Sequence, residues 1–134
     1  MTFEEELTAL SLKCKSFIRA GQISMYSSAL KEMADLFRRN DRFTEQLRLL
    51  LISFYIDLSG FGRASFIDHG LVEQLQTAMQ FNSIDMQELE RLFFEWIQPD
   101  LVSKHALGVK DSWYLLRLCV EGKVEQADYI LTKI

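Results

Sequence analysis

Arg42-Phe43-Thr44-Glu45-Gln46-Leu47-Arg48-Leu49-Leu50-Leu51-Ile52-Ser53-Phe54-Tyr55-Ile56-Asp57-Leu58 is the stretch whose reading decides the fold. Its apolar positions leave only a narrow polar stripe of Arg42, Gln46, Ser53 and Asp57. A helix that is apolar nearly all round has to be covered by neighbours on several sides. The segment therefore predicts the central helix of an all-α domain, and its polar stripe carries no arrangement that a particular chemistry requires. Arg48, Ser53 and Asp57 interrupt the tract, which is far shorter than the ~20 apolar residues a bilayer demands. A core helix is expected, with no membrane span.

Working outward, the flanking segments keep helical spacing. Thr2 can cap a first helix with Glu5 reaching back to the cap amide, and Phe3, Leu7, Leu10, Cys14, Phe17 and Ile18 share one face. Gly21 marks its end, and Tyr26, Leu30, Met33 and Phe37 give the second stripe. Asn40-Asp41 supplies the break before the central helix, since both residues tolerate turn conformations. Ser65-Phe66-Ile67-Asp68 reads as a capping box for a fourth helix with Ile67, Leu71, Leu75, Ala78 and Met79 inside. After Asn82-Ser83, a fifth helix presents Met86, Leu89, Phe93, Trp96 and Ile97 and ends near Pro99, because the residue before proline is pushed out of helical geometry. Leu101 to Leu107 reads as a loop or a short helical turn. Val109, Trp113, Leu116 and Val120 form a sixth helix, and Val124, Ala127, Leu131 and Ile134 a short seventh. Short connections make consecutive helices antiparallel neighbours, so the expectation is one domain over 1–134: a compact array of six to seven antiparallel helices around the central one.

Composition fits this. The chain has 134 residues, 49% hydrophobic and 25% charged, with one proline and six glycines, an ordinary globular balance. The formal net charge of -4 gives no general positive field for phosphate backbones or anionic lipid, so nucleic acid is a disfavoured partner. The acidic start, Glu4-Glu5-Glu6, is unlike the basic n-region of a secretion signal, and a cytoplasmic protein is expected. Cys14 and Cys119 fall among apolar neighbours, as reduced cysteines acting as small hydrophobes do.

The final hairpin, carrying Leu115, Leu118, Gly122, Lys123, Val124, Ala127 and Leu131, resembles the inter-helix turn of a tetratricopeptide repeat over about the last twenty residues. A looser echo lies at Leu36, Asn40, Asp41 and Phe43, with the aromatic displaced by one position and no glycine. The resemblance implies a groove for a peptide or partner helix and no catalysis.

Chemistry-bearing patterns are sparse. His69 and His105 lie on different elements, and Asp68-His69 are adjacent, a spacing that points side chains apart on a helix. The carboxylates lie at solvent-face spacings, and no Glu-x-x-His pair suggests a di-metal bundle. Ser59 to Ser65 is the most glycine-rich stretch, and its Gly60–Gly62 loop with Arg63 can in principle hold an anion; it lacks the GK[ST] ending of a P-loop and follows a helix, not a strand. Arg38, Arg39, Arg42 and Arg48 gather around one turn and can contact phosphates or an acidic partner, although Asp41 and Glu45 sit among them. The second half is rich in aromatics, of which Phe94 and Tyr114 fall off the predicted core stripes; with Trp96 and Trp113 they form the candidate partner surface. The sequence thus predicts no catalytic, metal or cofactor site. It favours a protein-interaction or self-association domain over two alternatives, a nucleic-acid-associated regulator using the arginines and a small-molecule sensor with an apolar pocket between helices.

Overall fold

The computed structural model describes residues 1–59, 66–98 and 107–133, and within them the protein is all-helical, with no strand. The helices are α1 (Phe3–Arg19), α2 (Ile23–Arg39), α3 (Phe43–Ser59), α4 (His69–Phe81), α5 (Met86–Trp96), α6 (Val109–Val120) and α7 (Val124–Leu131). The expected element order is the observed one. Among the described residues, no helix is long and apolar enough to cross a membrane.

The first three helices are each 17 residues long and begin at Phe3, Ile23 and Phe43, a regular step along the chain. The turns have a common construction. Gly21, Asp41, Ser83 and Gly122 all adopt positive φ, at 71°, 59°, 52° and 88°. In each case the next amide donates back to the carbonyl five residues earlier: Gln22 to Phe17 at 2.9 Å, Arg42 to Phe37 at 2.9 Å, Ile84 to Met79 at 3.2 Å and Lys123 to Leu118 at 2.8 Å. These are Schellman motifs, which satisfy helix-end carbonyls and reverse the chain in a few residues. Asp41 takes the left-handed position that Gly122 takes in the last hairpin, so the turn forms there without glycine.

Three helix starts, those of α1, α4 and α5, carry a side-chain cap. Thr2 Oγ1 accepts from the Glu5 amide at 3.2 Å, and Asp85 Oδ1 from the Glu88 amide at 2.9 Å. At α4 the structure corrects the expected boundary. Asp68 is itself the N-cap, accepting from the Leu71 amide at 3.1 Å, so the helix starts at His69; Ser65 lies outside the described residues. So do Pro99, most of the 101–107 segment and Ile134, although Leu107 is described and buried.

α3 lies at the centre as its composition demands. Leu47, Leu50, Leu51, Phe54, Tyr55 and Leu58 are buried in the main core with residues of α4, α5, α6 and α7. A second, smaller cluster forms where α1 lies over α2, built on Cys14, Ala29, Leu30, Met33 and Phe37 with Ile56 of α3 at its inner wall. The core therefore has two lobes, and α3 contributes to both.

Candidate functional site

Packing of α5 against α6 decides which of the second-half aromatics reach the surface. Phe93 is buried at the contact, and Phe94 meets its ring edge-on at 5.7 Å between centroids and 89° between planes. Trp113 closes the group, 5.6 Å from Phe93 and 6.3 Å from Phe94. Phe94 remains 41% exposed and Tyr114 51%, as their off-stripe positions imply. Trp113 is only 7% exposed; it belongs to the inward stripe of α6 with Ser112 and Leu116, so it supports the surface from beneath and is no partner contact in its own right. Trp96 is half-buried, with the Arg48 guanidinium 5.9 Å from its ring centroid. Of the four aromatics singled out in the sequence, two present themselves to solvent and two hold the platform.

The arginine group looks different in three dimensions. Arg38 contacts Asp35 at 2.7 Å, and Arg39 contacts Asp35 at 3.0 Å and Glu6 at 3.6 Å. Hydrogen bonds from Arg38 and Arg39 hold the Asp35 carboxyl below its usual range. Arg42 lies over the rings of Phe3 and Phe37, at 5.0 and 5.9 Å. Arg38 and Arg39 are thus paired with carboxylates, which weakens the field they offer a phosphate backbone, while Arg42 is packed on aromatic faces. Arg63 and the Gly60–Gly62 loop lie outside the described residues, as does His105.

The polar stripe of α3 yields what sequence reading missed. Ser27 and Lys31 stand one turn apart on α2, and Ser53 and Asp57 one turn apart on α3. Ser27 Oγ donates to Asp57 Oδ1 at 2.7 Å and so accepts from the Ser53 hydroxyl at 2.8 Å. Lys31 Nζ then reaches Asp57 Oδ2 at 2.7 Å and Asp68 Oδ2 at 3.1 Å. Burial pulls the Lys31 ammonium toward neutrality, but its bonds to Asp57 and Asp68 outweigh that and hold its pKa above the ordinary lysine value. Burial opposes the Asp68 charge in the same way; the Leu71 amide and Lys31 overcome it, and its pKa is lowered. A lysine held charged is neither a nucleophile nor a general base, and Ser27 is buried with its proton committed to Asp57. The network therefore ties three helices together. The signal in the sequence was the paired four-residue spacing, Ser27/Lys31 against Ser53/Asp57.

Elsewhere, His69 Nε2 meets Asp128 Oδ2 at 2.7 Å and joins α4 to α7 on the surface. Burial pushes the Cys14 thiol up, with Glu32 adding to the effect. Burial and then Asp128 push Cys119 up to about 12. Among the described residues no three His, Cys, Asp or Glu converge as metal ligands. A groove of about 720 Å³ beside Lys31 is walled by Glu32, Asp35, Arg38 and Arg39, charges that pair with one another or, in Arg39 and Glu32, with Glu6 and Lys13 of α1. Set against known protein families, curated proteins and solved structures, the chain finds no significant match.

Proposed function

We propose that this protein is a small cytoplasmic interaction module without chemistry of its own, which docks a protein partner on the α5–α6 face around Phe94 and Tyr114. The observation that carries the reading is the mounting of Phe94. An exposed ring set edge-on against buried Phe93 and backed by Trp113 is already ordered before a partner arrives. Ordering costs are a main reason why contact area fails to become affinity, and rigid aromatic anchors are where binding energy concentrates. The tetratricopeptide-like final hairpin agrees with a scaffold of this kind. The arginine-patch reading has less support, because Arg38 and Arg39 are paired with carboxylates and Arg42 and Arg48 lie against aromatic rings. A sensor with an apolar pocket also has less support, because the groove beside Lys31 is walled by charge.

Phe94→Glu tests the proposal. The side chain is partly exposed, so the substitution should cost no more than about 1 kcal/mol of stability, mainly the lost edge contact. Association, followed by light scattering after size exclusion and by pull-down from cell extract, should be abolished. A variant that binds the same partners as the wild type would overturn the reading, and so would one that unfolds.

A further inference from the structure

α1 is the least embedded of the three long helices. Cys14 is its one buried residue, against seven in α2 and eleven in α3. It lies on α2 over the smaller of the two core lobes, with Phe3, Leu7, Leu10 and Phe17 half-buried against it. The polar pairs at its edge, Lys13 with Glu32 at 3.2 Å and Glu6 with Arg39 at 3.6 Å, are exposed and so hold it weakly. The connection to α2 is only Ala20-Gly21-Gln22. What resists its becoming helix is Gly21 and the turn bond from the Gln22 amide to Phe17; the segment has no proline and no β-branched residue, and α2 has no side-chain N-cap to give up. The reversal rests on Gly21 at φ 71°.

We propose that α1 is an exchangeable strap: it opens about Gly21 into a helix continuous with α2, and the α1 of a second copy takes its place over the α2–α3 face. The occupant is a second copy because its Phe3-Leu7-Leu10-Cys14-Phe17 stripe is the one surface known to fit the exposed lobe. Exchange recreates the same contacts across two chains, which is why swapping is a low-cost route to dimers, favoured by short hinges. The surface involved is separate from the Phe94 face.

Gly21→Ala is a clean probe, since a Cβ built there meets nothing within 4 Å. Alanine is disfavoured in the left-handed turn of the closed monomer and favoured in the continuous helix. Each effect is worth about fivefold or more, so that a hinge contributes ~25-fold, and two hinges per dimer should raise the dimerisation constant roughly several hundredfold. Light scattering of the full chain over a concentration series reads this directly. The rise should persist in Gly21→Ala/Phe94→Glu, which separates it from association through the aromatic face. Thiol labelling of the wild type gives a second readout, in which Cys14, buried between α1 and α2, should become reactive by opening of α1 while Cys119 of the main lobe stays protected. The proposal fails if folded Gly21→Ala stays as monomeric as the wild type, if adding Phe94→Glu to Gly21→Ala removes the extra dimer, or if Cys14 reacts only with global unfolding.

Discussion

Lys31→Met leaves the Asp57 carboxylate in the interior without its cation, and the size of the loss can be worked from the geometry. Asp57 is 5% exposed in its side chain, and the lysine reaches it at 2.7 Å. Breaking a buried pair by removing one partner costs ~3 to 5 kcal/mol, because a charge is left uncompensated. Here the lysine side chain keeps 28% exposure, so water can partly replace it, and Ser27 still donates to Asp57; the low end, about 3 kcal/mol, is expected. Asp57→Asn should cost less, about 1 to 2 kcal/mol, because Lys31 retains Asp68 and some solvent. The double variant should fall short of the sum by ~1 to 2 kcal/mol, the coupling expected of residues in direct contact. Urea unfolding followed by far-UV circular dichroism at neutral pH supplies all four corners of the cycle. The pH dependence has a fixed sign. The Lys31 pKa is raised on folding, so its contribution is complete below the ordinary value of 10.5 and disappears as pH climbs through the folded value. The Asp68 pKa is lowered, so its contribution is present above 3.8 and disappears as pH falls through the folded value. Additive single substitutions, or a Lys31→Met protein within about 0.5 kcal/mol of wild type, would refute the tether.

Two further outcomes follow from burial. Leu50→Ala and Phe54→Ala each remove a side chain from the centre of α3 and should cost ~2 to 5 kcal/mol in the same unfolding assay; an unmoved midpoint for either would displace α3 from the core. Cys119, with its thiol pushed up to about 12, should resist iodoacetamide at pH 8 in the native protein and react once unfolded, and rapid native labelling would contradict its burial.

The helix order, the core faces and the four turns were legible because each rests on local chemistry: apolar spacing, and Gly21, Asn40-Asp41, Asn82-Ser83 or Gly122 at the breaks. The α4 start was misplaced because Ser65 and Asp68 are both competent caps, and local sequence does not choose between them. Asp68 is the cap in the structure, and it is the one that also contacts Lys31 of α2. Trp113 was grouped with surface aromatics because the second half holds more rings than one stripe can bury, and only the α5–α6 approach shows which ones go inside. The Ser27–Asp57 network stayed hidden for a similar reason. A serine and an aspartate on an apolar helix read as scattered polarity until the facing helix supplies the lysine.

The regular step of the first three helices shows why that network lies where it does. Leu10, Leu30 and Leu50 recur in step, as do Phe3, Ile23 and Phe43. Phe17 and Phe37 hold equivalent places near the ends of α1 and α2, and their carbonyls anchor the turns that reverse the chain. At the corresponding place in α3 stands Asp57. The third helix therefore breaks the series with a carboxylate where the pattern calls for an aromatic ring. That carboxylate receives Lys31 from α2, and the same lysine holds Asp68 at the head of α4. The head of α4 is thereby linked to α2, while the helix body packs with α3, and the helices that follow build the main core lobe with it. The departure from the repeating pattern, aspartate where the two preceding helices carry phenylalanine, thus coincides with the passage from a short helical row to the packed body that carries the Phe94 face.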